Sequence, residues 1–184
     1  MIGEEFAGLL AAAQAGSEAA FSRLWREANP ALLRYLRVIA PGGEEDIAAE
    51  TWVQVVRGLP SFRGDEQGWR AWLFTTARRR AIDQARHRSR RPEVPLDDVT
   101  AAQLPSSADS ADAAMESLGT AAAIALVSGL PRMQAEVILL RVVAGLDTES
   151  VARILRKKPG TVRVAAHRGL RKLAQLTADA GVTL

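Results

Sequence analysis

Apolar residues in this chain recur every three or four positions, and no stretch alternates apolar with polar as a half-buried strand would. That property restricts the fold to helices. Phe21, Leu24, Trp25, Ala28, Leu32, Tyr35, Leu36 and Ile39 predict one long amphipathic helix, with Pro30 as a place for a bend and Pro41-Gly42-Gly43 as its end. A second helix is expected from about Glu44 to Gly58. Its first turn carries three acidic residues that suit the positive end of the helix dipole, and Ile47, Trp52, Val55 and Val56 are available for burial. Beyond Pro60 and the loop Ser61 to Gln67, a third helix runs from about Gly68 to His87, apolar at Trp69, Trp72, Leu73 and Ala77 and then strongly basic. Helical periodicity returns near Ala111 to Ser128 and, after Leu130-Pro131, in Met133 to Val143, Thr148 to Leu155 and Pro159 to Leu176. The expected fold class is all-α.

Charge divides the chain more sharply than hydropathy does. Residues 63 to 91 carry 9 basic against 3 acidic side chains, residues 92 to 131 carry none against 6, and residues 132 to 173 carry 10 against 3. Two basic blocks on predicted helices, with an acidic spacer between them, point to an anionic polymer as partner. The stretch from Arg91 to about Ala111 is rich in Pro, Ser, Asp and Ala without periodicity. The expected organisation is therefore a helical domain over 1–91, a flexible acidic linker over 92–111 and a second helical domain over 112–184. With no cysteine, a disulfide framework, a thiolate metal site and a cysteine nucleophile are excluded. No apolar run reaches the roughly 18 to 20 residues of a membrane span, and no signal peptide is apparent, so the expected address is the cytoplasm without membrane insertion.

The last third predicts a helix-turn-helix. Gly145 ends one helix, Asp147 or Thr148 can cap the next, and Val151, Ile154 and Leu155 give that short helix a buried side. Arg156-Lys157-Lys158 makes a tight connection to Pro159, which suits a first helical turn because its missing N–H is not needed there. A short helix, a tight turn and a longer basic helix form the arrangement that enters a DNA major groove. Gly160 and Thr161 would let the helix N-terminus approach phosphates, while Arg163, Val164, His167, Arg168 and Arg171 would lie along the exposed side. Lys157, Lys158 and Lys172 read as phosphate contacts. A solvated basic face on an ordinary helical hairpin is the bland alternative, and His167 could equally be a packing residue.

Two motifs in the first half carry a family resemblance: Asp46-Ile47-Ala48-Ala49-Glu50-Thr51-Trp52, and Phe62-Arg63-Gly64 followed by Trp69-Arg70-Ala71-Trp72-Leu73-Phe74 and Ala77-Arg78. With Leu130-Pro131, with Gly145 ahead of Ser150-Val151-Ala152, and with Gly160-Thr161-Val162-Arg163, they resemble the extracytoplasmic-function sigma factors of bacterial RNA polymerase, the group 4 members of the sigma-70 superfamily. The likeness spans about Phe21 to Leu176, with three motifs in the family's order. Ala49, Thr75, Arg79 and Val164-Ala165-Ala166 depart from the family pattern. The first falls on the polymerase-facing helix and the others touch promoter readout, so a preferred promoter sequence does not transfer.

The resemblance implies that residues 1–91 are a region 2-like domain for core polymerase and the minus-10 element, and 112–184 a region 4-like domain for the minus-35 element. Asp46, Glu50, Thr51 and Gln54 would contact core RNA polymerase. Phe62, Arg63, Gly64, Asp65, Arg78, Arg79, Asp83 and Arg86 would hold the melted non-template strand, a basic groove tracking the backbone while a loop pocket takes an unstacked base. Lys157, Lys158, Gly160, Thr161, Arg163, Val164, His167, Arg168 and Arg171 would meet minus-35 duplex. An anti-sigma factor would be a natural partner. Core packing is the first reading of Trp52 and Trp72, while Trp69 divides evenly between core and base stacking.

Some 20 extended linker residues reach at most roughly 66 to 72 Å, or about 19 to 21 base pairs, enough to bridge two promoter elements. The acidic linker reads equally as a nucleic-acid mimic for a basic polymerase channel and as a plain tether. Two other functions compete: a sigma-like mimic that titrates an anti-sigma protein, which should have lost its basic readout positions, and a stand-alone helix-turn-helix regulator, which leaves the first half unexplained. An enzyme is not expected, because no nucleophile, phosphate loop or metal set accompanies Asp46 and Glu50. No cofactor and no metal site are expected.

Overall fold

A computed structural model describes residues 2–90 and 121–179, and within them every regular element is a helix. A 3₁₀ turn, Gly3–Glu5, leads into α1, Phe6–Gln14, which turns Phe6, Leu10 and Ala13 inward. Helix α2, Glu18–Ile39, starts three residues ahead of the expected Phe21 because the Ser17 hydroxyl caps it, accepting from the Ala20 N–H at 3.3 Å. Its Leu24, Ala28, Leu32, Tyr35, Leu36 and Ile39 form the buried stripe that the sequence predicts. Pro30 does not break it: the residue is exposed, so the carbonyl that loses its partner faces water.

Helix α3, Glu44–Gly58, has the expected bounds and buries Ile47, Ala48, Thr51, Trp52 and Val55, while Val56, offered for burial by the sequence, is exposed. After a 3₁₀ turn, Leu59–Ser61, α4 runs Glu66–Arg90. It begins two residues before Gly68 because Asp65 supplies the cap, its Oδ1 accepting from the Gly68 N–H at 2.8 Å. Trp69, Leu73, Phe74, Ala77 and Ala81 of α4 are buried, so both Trp69 and Trp52 are core residues. Trp52 also satisfies its indole by donating to Asn29 Oδ1 at 2.9 Å.

Residues 121–128 form α5, and the expected linker over 92–111, together with the start of the helix expected from Ala111, lies outside the described residues. Helix α6, Arg132–Ile138, follows Pro131 and passes into a π turn, Leu139–Val143, where the Ala144 N–H reaches back five residues to Leu139 O at 2.9 Å. Helices α7, Thr148–Leu155, and α8, Pro159–Asp179, complete the fold. Gly169 lets α8 approach α6 closely: a Cβ there would lie 2.6 Å from Ile138 Cδ1.

The two halves share one core. Helix α6 and the π turn pack on α2, and α7 packs on α4. Val137, Leu139, Leu140, Ala144 and Leu146 join the same continuous buried cluster as Leu32, Tyr35 and Phe74. The sequence separates two helical units by charge and composition, but the apolar faces that bring them together belong to residues far apart in the chain.

Candidate nucleic-acid interface

The connection between α7 and α8 is built from local backbone chemistry. Gly145 takes φ 66°, a left-handed conformation that ends the π turn and that a side chain would disfavour. Asp147 then caps α7, its Oδ1 accepting from the Ser150 N–H at 2.6 Å. That hydrogen bond, reinforced by Ser150 and by Arg153 and Arg141, holds the Asp147 carboxyl below the usual carboxylate range against a small opposing effect of burial. At the other end Arg156 adopts φ 53° and the Lys157 N–H returns to Ala152 O at 2.9 Å, a Schellman-type stop.

On α8, Val162, Ala165 and Gly169 point into the fold. Lys157, Lys158, Gly160, Thr161, Arg163, Val164, His167, Arg168 and Arg171 are all exposed. The structure thus brings all nine onto one open surface. Among their side chains Arg163 lies 3.5 Å from Glu149, an ion pair that is solvent-exposed on both sides and therefore weak. Arg168, Arg171 and Lys172 also edge a cleft of about 310 Å³ against Pro131 and, on α6, Gln134.

The loop before α4 is arranged differently. Phe62 stacks on Trp72 with ring centroids 5.2 Å apart and meets Trp69 edge-on at 5.9 Å. Trp72 is half-buried and fills the space beside Gly58, where a Cβ would sit 2.6 Å from its ring. Arg63 folds back, donating from Nη1 to Pro60 O at 2.9 Å and Phe62 O at 2.7 Å. Gly64 is exposed and Asp65 is committed to its cap. From α1, Gln14 Nε2 donates to Leu59 O at 2.9 Å and Phe62 O at 2.8 Å, so the loop is held from below as well.

Along α4, Arg79 is exposed, and Asp83 and Arg86 lie 3.9 Å apart on the exposed side. Arg78 is not with them. Its Nε donates at 2.7 Å to Glu136 of α6, a carboxylate only 4% exposed, which also accepts from the buried Tyr35 hydroxyl at 2.9 Å. Burial first, and then the Glu136 charge, pushes the Tyr35 phenol well above its ordinary range. Two more side chains of α4 cross to the second half: Gln67 Nε2 donates to Gly145 O at 3.0 Å and Arg70 Nη1 to Ala144 O at 3.3 Å. Arg70 is itself paired with Glu66. Burial alone would raise the Glu66 carboxyl, but the N–H groups of Gly3 and Ile2, with Arg70, outweigh it and hold it low.

On α3, Asp46 and Glu50 are exposed and Gln54 is half-buried, beside the exposed apolar Val53 and Val56. Thr51 does not share that surface: it is 0% exposed and its hydroxyl donates to Ile47 O at 2.6 Å, because the i, i+4 spacing turns it inward. Glu50 lies 3.6 Å from Arg80 of α4. Glu136 is the residue that sequence reading passed over, although one acid within the apolar run Ala135 to Leu140 is itself a sign of a buried charge needing a partner. Among the described residues no cluster of three or more His, Cys, Asp or Glu could hold a metal ion, and no helix is long and apolar enough to cross a membrane.

Comparison with known proteins adds to this geometry. The family model for Sigma-70 region 2 matches residues 24–91, and that for Sigma-70 region 4 matches residues 120–173. The chain is 33% identical over 175 residues to the ECF RNA polymerase sigma factor ShbA of Streptomyces griseus, covering 88% of this chain and 89% of that one. It is 34% identical over 173 residues to the ECF sigma factor SigL of Mycobacterium tuberculosis, covering 92% and 96%. The ECF sigma factor BldN of Streptomyces coelicolor is 31% identical over 173 residues, with 93% of this chain but 65% of BldN covered, so the chain spans just under two thirds of that relative. In fold it is similar to the sigma factor RpoE of Bartonella quintana, solved with the anti-sigma factor NepR, at a TM-score of 0.62 and 24% identity over 86% of this chain and 96% of that one. CnrH, solved with the cytosolic domain of CnrY, gives 0.63 and 22% over 96% and 99%.

Proposed function

Because this chain belongs to the extracytoplasmic-function sigma factors of bacterial RNA polymerase, we propose that it binds core polymerase and directs initiation by gripping a promoter twice. In this reading residues 112–184 hold the minus-35 element as duplex and residues 1–91 hold core polymerase and the melted minus-10 strand. It acts in the cytoplasm as a non-enzymatic initiation factor. The observation that carries the proposal is the exposed row formed by Lys157 and Lys158 in the turn before α8 and by Gly160, Thr161, Arg163, Val164, His167, Arg168 and Arg171 on the helix, which has small residues at its N-terminus. Such a row fits a major groove: arginines fork to guanine edges or clamp phosphates, and Val164 can meet a thymine methyl.

Core polymerase would dock on α3, with Asp46, Glu50 and Gln54 around Val53 and Val56. Thr51 supports that helix from inside. The minus-10 strand would follow Phe62 to Asp65 and the basic side of α4, where Arg79, Asp83 and Arg86 face water. An anti-sigma factor belongs to the same proposal on the strength of family membership.

Reconstitution with core polymerase on a promoter library tests this. Core-dependent, sequence-selective run-off transcription is expected, and Arg168→Ala should weaken use of the upstream element while core binding persists. Tight specific duplex binding by the chain alone, with no binding to core, would sink the proposal in favour of a simple regulator.

A further inference from the structure

Glu136 sits where the two halves meet, and its partners come from both long helices of the first half, Tyr35 from α2 and Arg78 from α4. Glu136 is only 4% exposed, and removing either partner leaves a buried polar group short of a hydrogen bond. Arg78 is one of the residues that the family resemblance gives to the melted strand, yet here its side chain is only 26% exposed and its Nε is turned onto Glu136. That hydrogen bond uses Nε, so a phosphate that claims the guanidinium through both Nε and Nη must draw Arg78 away from the buried carboxylate.

If a phosphate takes Arg78, Glu136 is left buried and short of its charged partner. One response is to hydrate it by parting α6 from α2 and α4, which also exposes part of the apolar core that the halves share. The other polar ties across this junction, Gln67 to Gly145 O and Arg70 to Ala144 O, are single hydrogen bonds to backbone carbonyls and can be replaced by water. In sequence the halves are joined through residues 91–120.

We propose that Glu136 is a latch: by holding Arg78 it keeps the two halves closed, and single-stranded DNA that captures Arg78 opens them. The coupling is reciprocal, so whatever opens the halves also frees Arg78 for nucleic acid. The latch rests on the melted-strand reading of Arg78 but is tested without transcription.

The chain has no cysteine, so Glu45→Cys and Ala174→Cys, at exposed positions in the two halves, give a clean pair for donor and acceptor dyes on the full protein. Energy transfer and affinity for a 5′-labelled single-stranded oligonucleotide of about 20 nucleotides, spanning one or two single-strand sites, are read in parallel. Glu136→Gln should lower the transfer efficiency and tighten the oligonucleotide roughly tenfold, within the usual span of coupled sites. Tyr35→Phe, which removes one hydrogen bond and no charge, should move both readouts the same way by less, and it carries the test if Glu136→Gln does not fold by circular dichroism. Adding oligonucleotide to the parent should open it too.

Unchanged transfer in Tyr35→Phe and in a folded Glu136→Gln would overturn the latch. So would tighter binding without separation, which would reduce Glu136 to a repelling charge. Run-off transcription by the parent reports on the functional reading separately: opening without transcription upholds the latch and removes the promoter role.

Discussion

The two proposed DNA grips are built on opposite principles. On α8 and in the turn before it the nine candidate residues are exposed, and the fold beneath them is carried by others, Val162, Ala165 and Gly169. Around the loop before α4 the candidates are themselves structural: Phe62 stacks on Trp72, Arg63 bonds two carbonyls, Asp65 caps a helix and Arg78 holds Glu136. A duplex is already a rigid partner and needs only a presented face. A melted strand must be wrapped, and the residues proposed to wrap it have positions in the free protein that are occupied by protein. Mutations around the loop before α4 should therefore mix stability with binding, and mutations on α8 should separate them.

Phe62→Ala is expected to give the largest effect. Losing a half-buried ring from the Trp69 and Trp72 cage should destabilise the chain by about 2 to 3 kcal/mol, below the full cost of a core phenylalanine, as read by urea unfolding. A loss under about 0.5 kcal/mol, the range of ordinary surface changes, would break the comparison. Asp147→Ala should cost about 1 kcal/mol through the lost cap. Because its carboxyl is held low in the folded protein, the stabilisation is present above the ordinary aspartate range and is lost as pH falls through the lowered value. The parent's unfolding midpoint should therefore fall toward the variant's in acid, and a constant gap down to pH about 2, well below the aspartate reference, would refute the cap.

Arg168→Ala should leave stability within about 0.5 kcal/mol while weakening duplex binding, with the salt dependence shallower by about one charge if the contact is to phosphate. A stability loss as large as that of Phe62→Ala would show that α8 is no freer than the loop. Arg156→Gly should be the smallest change. Relieving roughly 1 kcal/mol of left-handed strain is offset by about 0.5 to 1 kcal/mol of unfolded-chain entropy, leaving a few tenths in thermal unfolding.

Most of the elements were legible because the signals that set them are local. The bounds of α3, the Asp147 cap and Pro159 as the first residue of α8 depend on residues within one turn of one another, and so does the inward stripe of α2. Helix α1 escaped notice because its buried Phe6, Leu10 and Ala13 lie in an alanine- and glycine-rich run with little contrast between its faces. The resemblance makes Thr51 a polar contact, whereas its inward direction follows from Ile47, Trp52 and Val55 beside it. Least visible was the union of the halves. Glu136 meets Tyr35 across 101 positions and Arg78 across 58, and no periodicity in either segment encodes that pairing. In the candidate site the same division holds, with the α8 row readable from spacing and the engagement of Arg63 and Arg78 not.

The π turn at Leu139–Val143 contains one residue more than an α-helical path would use. Val142 within it is 67% exposed and supports no core, so deleting it would remove little packing. A π turn takes up its extra residue locally, so the shortened segment can close as ordinary α-helix with the carbonyls of Ala144 and Gly145 still beside Arg70 and Gln67 and α8 aimed as before. The surplus residue is thus slack in the chain: its length can change at this point without disturbing the relation between the two grips.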